Sequence, residues 1–90
     1  MRIGRHVQVT GLVQGVFFRV WAQEQARELG VRGWIRNRPD GSVEAHLSGE
    51  EQTVVRMIEL MRRGPANARV EHLTIEAAQP GKSGRFEVRH

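Results

Sequence analysis

The residues best suited to chemistry lie in Gly11-Leu12-Val13-Gln14-Gly15-Val16-Phe17-Phe18-Arg19, a glycine-containing turn that leads into a helical stretch. A helix N-terminus presents unpaired N–H groups and the positive end of its dipole, and a glycine turn ahead of it can curl successive N–H groups into an anion cradle. No proline interrupts residues 11–38, so every N–H of the turn is present. Arg19 falls in the first helical turn, where a guanidinium can fork onto two oxygens of a phosphoryl group. The chemistry is therefore recognition of a phosphoryl group. Nucleoside triphosphate hydrolysis is disfavoured, because the G-x-x-x-x-G-K-[ST] spacing and its lysine are missing. Taken alone, a strand, a glycine and a helix in succession are more often plain topology than a phosphate site, and a lone arginine is more often surface.

The flanking elements supply a second residue. Residues 6–13 place Val7, Val9 and Val13 at even spacing, the period of a strand. Phe18, Ala22, Ala26 and Leu29 recur at the period of a helix burying one stripe, and Gly30 suits its C-terminal cap. Residues 31–38 alternate Val31, Gly33, Ile35 and Asn37 against Arg32, Trp34, Arg36 and Arg38, which predicts a second strand. A strand–helix–strand crossover makes the two strands parallel, so the loop after Val13 and the C-terminal end of the second strand share one edge of the sheet. Asn37 sits at that end, and Arg19 opens over it. An asparagine before a proline-containing turn is usually a turn former; beside the loop and Arg19 it becomes a candidate site residue.

The rest of the chain completes the scaffold. Arg38-Pro39-Asp40-Gly41 reads as a turn, followed by a returning strand with Val43, Ala45 and Leu47 in alternation. Ser48-Gly49-Glu50-Glu51 matches a capping box, with Ser48 as the N-cap of a second helix. That helix carries the stripe Val54, Ile58 and Met61 and stops at Arg62, Arg63 and Gly64-Pro65. Leu73, Ile75 and Ala77 alternate as a fourth strand, and the out-of-phase Val70 marks a bulge or a late start. Residues 79–84 form a loop, and Phe86 with Val88 suggests a short fifth strand. The order βαββαβ with an added strand predicts an α+β, ferredoxin-like sandwich, an antiparallel sheet with two helices on one face.

Composition narrows the classes. With 90 residues there is room for one domain, residues 1–90. A content of 39% hydrophobic and 27% charged residues suits a globular fold and not a disordered chain. No apolar run approaches the roughly 20 residues of a membrane helix. Residues 1–6 carry charge without a following apolar core, so no secretory signal and a cytoplasmic location are expected. The absence of cysteine excludes disulfides, thiolate metal sites and a cysteine nucleophile. The net charge of +4 suits RNA, membranes or small anions alike, and its thirteen arginines and one lysine are scattered, as on a solvated surface. His6, His46, His72 and His90 lack metal-ligand spacing, and Glu44 and Glu71 offer no paired-carboxylate geometry. Trp34 and Phe17 are expected in core or rim packing rather than as a stacking platform.

Gly11-x-Val13-Gln14-Gly15-Val16-x-Phe18-Arg19, then Gly33-Trp34-Ile35-x-Asn37, Asp40-Gly41-Ser42-Val43-Glu44 and Gly64-Pro65-x-x-Ala68-x-Val70 together resemble the acylphosphatase family over nearly the whole chain. The resemblance implies hydrolysis of carboxyl-phosphate anhydrides, with no metal or other cofactor, in a ferredoxin-like fold with an added C-terminal strand. It also implies that the backbone amides of Gly15, Val16, Phe17, Phe18 and Arg19 and the Arg19 guanidinium hold the phosphoryl group. Asn37 would then position the attacking water. The partners expected are a small-molecule acyl phosphate and product phosphate, for a monomer that binds neither nucleic acid nor membrane. Val20-Trp21 and Arg38 depart from the family's usual residues, which leaves the substrate preference open.

Two other classes fit part of the pattern. An RNA-recognition motif shares the βαββαβ order and the positive charge, but Ser42-Val43-Glu44-Ala45-His46-Leu47 lacks the aromatic and basic residues such a module needs on that strand. A regulatory acyl-phosphate or carbamoyl-phosphate domain of a larger enzyme, as in hydrogenase maturation, is disfavoured by a free chain of this length without a zinc-finger motif.

Overall fold

Alternation along the strands gives each a dry and a wet side, and the helices cover the dry one. Residues 1–90 are described by a computed structural model. Its elements are β1 (Arg2–Leu12), α1 (Phe18–Leu29), β2 (Arg32–Asn37), β3 (Val43–Glu50), α2 (Glu51–Arg63), β4 (Arg69–Ala78) and β5 (Phe86–Arg89). Val7, Val9, Ile35, Val43, Ala45 and Leu47 lose all contact with solvent beneath the stripes of α1 and α2. On α1 that stripe is Phe18, Ala22 and Ala26, and on α2 it is Val54, Met57, Ile58 and Met61. Gly30 closes α1 in a left-handed conformation (φ 77°), its N–H donating to the carbonyl of Ala26.

The sheet order is β4-β1-β3-β2-β5. Both β1 and β2 pair antiparallel with β3, so they run parallel to each other with β3 between them. The fifth strand is present but joins β2 in parallel, with Gly33 opposite Phe86 and Ile35 opposite Val88. The sheet is therefore mixed, not wholly antiparallel as the sequence pattern suggested. Gly33 (φ 132°) marks the closest approach in the sheet: a Cβ there would lie 1.8 Å from the carbonyl oxygen of His46 on β3.

Further details differ from or refine the expectation. The capping box does not form, because β3 continues through Ser48 and Gly49 to Glu50, paired with Gly4, Ile3 and Arg2. Glu50 is the N-cap of α2, and the Ser48 hydroxyl instead accepts the N–H of Gly81. That contact belongs to the connection from β4 to β5, which must travel from one sheet edge to the other and crosses the face without helices. Gln79 is held there by His46, whose Nε2 lies 2.9 Å from its carbonyl oxygen. The pairing of β1 with β4 shifts at Thr10 and Gly11, which face His72 and Val70 and leave Glu71 as the extra residue of a bulge. The irregularity read at Val70 is this bulge. β1 begins at Arg2 instead of His6, and β2 ends at Asn37 because the N–H of Arg38 turns to the Ser42 carbonyl, 2.8 Å away.

Candidate active site

Between Leu12 and Phe18 the backbone changes hand twice. Gly15 has φ 75° and Phe17 has φ 61°, ψ 27°, while Val16 between them has negative φ. Such alternation turns successive N–H groups toward one side and forms an anion-binding concavity. No side chain caps α1 and no acidic residue occupies its first turn. The first backbone bond of α1 runs from Trp21 N–H to the Phe17 carbonyl, 3.0 Å, which leaves the amides of Gly15, Val16, Phe17, Phe18 and Arg19 without acceptors in the chain. The positive end of the helix dipole adds to this donor set. Phe17 holds its left-handed conformation without being glycine, a strain of roughly 1–3 kcal/mol of the kind that accumulates at functional sites.

A side-chain amide fixes this loop to the next strand connection. Gln14 Nε2 donates to the carbonyls of Arg38 (2.8 Å) and Ser42 (2.9 Å), at the two ends of the turn between β2 and β3. The turn is closed from within by Gly41 N–H to the Arg38 carbonyl, 3.1 Å, and by Asp40 Oδ1, which accepts the hydroxyl (2.6 Å) and N–H (2.9 Å) of Ser42. Those two hydrogen bonds hold the Asp40 carboxyl below its usual pKa range. Asn37 precedes the turn, and its Oδ1 is buried with no hydrogen-bond partner. A buried acceptor left in that state is costly unless something outside the chain donates to it.

Arg19 and Asn37 meet in one cleft of about 310 Å³, which the loop residues Gly15, Phe17 and Phe18 also line. Val16 lies outside the lining and packs its side chain against the core. The Arg19 guanidinium donates to the carbonyl of Arg89 at the end of β5 (3.0 Å), and its Nη1 lies 3.3 Å from Nδ1 of His90. The lining contains no aspartate or glutamate. An anion entering the cleft meets a guanidinium and free N–H groups. A larger groove of about 570 Å³ between α1 and β5 carries exposed Arg27, Arg32 and Arg85 but neither Arg19, Asn37 nor any of residues 15–18.

The acylphosphatase family model matches residues 5–88. The chain belongs to the acylphosphatase family. It is similar to an acylphosphatase of Rhodopseudomonas palustris, 51% identical over 76 residues, spanning 84% of this chain and 77% of that relative. An acylphosphatase of Anaeromyxobacter dehalogenans is 44% identical over 89 residues, 98% of this chain and 96% of its own. Among solved structures, an acylphosphatase from Coxiella burnetii superposes with a TM-score of 0.94 at 35% identity, covering 98% of this chain and 93% of that one. The protein is thus an enzyme of the acylphosphatase class with the ferredoxin-like fold of that family.

Against this acylphosphatase scaffold, the remaining residues singled out from the sequence take other places. Trp34 lies on the helix-free face, stacked on His46 (centroids 6.4 Å apart) with the guanidinium of Arg89 4.9 Å from its ring centre. Phe17 is 79% exposed at the rim of the cleft. The side chain of Arg38 is held near Glu44, with Nη1 3.4 Å from Oε2, and does not line the cleft. Glu44 also binds Arg36 and His6, the latter at 2.7 Å. Burial alone would raise the Glu44 pKa, but the hydrogen bonds from Arg36 and His6 outweigh it and hold the carboxyl below its usual range. The histidines form no cluster of metal-ligating groups. Gln14 and the Arg89 carbonyl are the contributors that pattern reading did not single out. A polar residue between a strand end and a loop glycine is a weak signal for the first, and nothing local signals the second.

Replacing Gln14 by Leu is expected to lower stability by about 1–2 kcal/mol, the scale of one or two hydrogen bonds. Amide exchange at Gly41 and Ser42 should quicken by about tenfold, the counterpart of ~1.4 kcal/mol. Unchanged exchange there would remove Gln14 as the tie between loop and turn. Because the folded pKa of Glu44 is depressed, its stabilisation is complete above the unfolded value near 4.5 and disappears as pH falls through the folded one. Glu44→Gln should therefore cost about 1–2 kcal/mol at pH 7, a value reduced for the half-exposed partners, and less at pH 3, below the unfolded value. Urea denaturation at the two pH values measures the difference.

Proposed function

We propose that the cleft hydrolyses the carboxyl-phosphate anhydride bond of acyl phosphates, releasing a carboxylate and inorganic phosphate. The observation that carries this reading is that Asn37 lines the same cleft as Arg19 and a loop of free N–H groups. In our assignment the amides of residues 15–19 and the Arg19 guanidinium hold the phosphoryl oxygens. Asn37 accepts a hydrogen bond from a water molecule through its side-chain carbonyl, and the water keeps that proton while its lone pair is directed at phosphorus. The water oxygen bonds to phosphorus as the bond from phosphorus to the acyl oxygen breaks, and the departing oxygen leaves as carboxylate.

Phosphoryl transfer passes through a loose transition state with its charge on the phosphoryl oxygens, so positioning and electrostatic stabilisation suffice. The carboxylate is a good leaving group, which removes the need for a strong acid. A general base is likewise unnecessary if the water's second proton passes to a phosphoryl oxygen of the substrate itself. No step requires a metal or an organic cofactor. We further propose that residues 1–90 act as a single monomeric domain in the cytoplasm. No helix is long and apolar enough to cross a membrane.

Benzoyl phosphate with EDTA, compared with p-nitrophenyl phosphate, tests the reaction. Turnover of the first should survive chelation, with little cleavage of the monoester. Arg19→Gln should lower kcat by at least 10²–10³-fold, roughly the loss on removing one preorganised oxyanion donor; near-normal turnover would exclude Arg19. Asn37→Ala should lose turnover while inhibition by inorganic phosphate persists. A matched loss of phosphate affinity would instead assign Asn37 to ground-state binding.

A further inference from the structure

The cleft has an apolar side that holding a phosphoryl group does not explain. Phe17 is 79% exposed and Val20 50% exposed, and both line the cleft, as does Val88 of β5. Phe17 is the N-cap of α1 and Val20 lies in its first turn, and both line the same cleft. Between them in sequence, Arg19 turns its guanidinium to the Arg89 carbonyl.

The cradle needs a left-handed residue at position 17, but it does not need a phenylalanine. Glycine or asparagine adopts φ 61° with less strain and leaves no ring in water. The ring does not repay its strain inside the fold, since Phe17 is outside the core and outside the residues packed on it. The same holds for Val20, a β-branched residue on an exposed helical position. Large apolar surface held in water beside an anion cradle fits a ligand with one charged end and one apolar end.

We propose that Phe17 and Val20 form the acyl-group subsite, selecting acyl phosphates with an aromatic or branched apolar body over small or charged ones. This rests on the acyl-phosphate reading of the cleft. With the phosphoryl group on the amides of residues 15–19, the acyl body leaves toward the Phe17 ring and Val20. An aromatic acyl group gains by covering these surfaces. An acetyl group is too short to cover both, and a second carboxylate would lie against apolar atoms with no donor among them.

The test compares kcat/KM for benzoyl phosphate and acetyl phosphate in the wild type, Phe17→Asn and Val20→Thr. Asparagine tolerates the left-handed conformation, and threonine keeps the volume and branching of valine while adding a hydroxyl. The benzoyl-to-acetyl ratio should exceed one in the wild type. It should fall about tenfold in Phe17→Asn, the scale on which apolar pockets discriminate, and by a smaller factor in Val20→Thr. Equal losses on both substrates, or an unchanged ratio in both variants, would overturn the subsite. Calorimetry with phenylphosphonate and methylphosphonate separates this inference from the reaction itself. Tighter, Phe17-dependent binding of phenylphosphonate without any acyl-phosphate turnover would uphold the apolar subsite and overturn the reaction. Turnover with equal affinity for the two phosphonates would uphold the reaction and overturn the subsite.

Discussion

Because β3 runs antiparallel to both of its neighbours, β1 and β2 must end at the same edge of the sheet, and the cleft depends on that pairing. The loop of residues 13–17 leaves one strand end and Asn37 occupies the other, some twenty residues later in the chain. Strand pairing sets their approximate separation, and Gln14 narrows it by fastening the loop to both ends of the adjoining turn. The parallel addition of β5 beside β2 then brings the Arg89 carbonyl to the Arg19 guanidinium. Three separate parts of the chain thereby converge on one cleft.

In the proposed reaction the work at the cleft is divided between backbone and side chains. Backbone amides are fixed by the conformations of Gly15 and Phe17 and lose no rotamer freedom when they receive an anion. Arg19 adds a full charge, but a flexible side chain needs an anchor, and the Arg89 carbonyl provides one. The network of Glu44 with His6, Arg36 and Arg38 lies on the opposite face of the sheet from the helices. It compensates the arginines flanking Asn37.

Much of this was legible in the sequence because it is local or follows from a handedness rule. The helical stripe beginning at Phe18, the glycine cap at Gly30 and the alternation around Asn37 are short-range patterns. The crossover rule alone placed the Gly15 loop and Asn37 at one edge. Ser48 misled because a four-residue capping pattern competed with strand pairing that reaches as far as Arg2, and the longer ladder won. The direction of β5 was hidden for a related reason: two alternating apolar residues say nothing about which strand they join. The reach of Gln14 and the anchoring of Arg19 depend on side-chain direction and on contacts up to 70 residues apart. The placement of Trp34 over the helix-free face likewise required the register of β3 and β5.

The bulge at Glu71 has a meaning for the molecule in a crowded solution. β4 is an edge strand of ten residues, and a long, straight edge offers its free N–H and C=O groups to any other chain that exposes a strand. An extra residue breaks the regular hydrogen-bonding repeat and sharpens the local twist, so a second copy cannot match it along its length. Arg69, Glu71 and Glu76 further burden any such ladder with charge. At the opposite edge β5 offers only four residues. The irregularity that disturbs the alternation at Val70 thus also guards a small β-rich chain against aggregation.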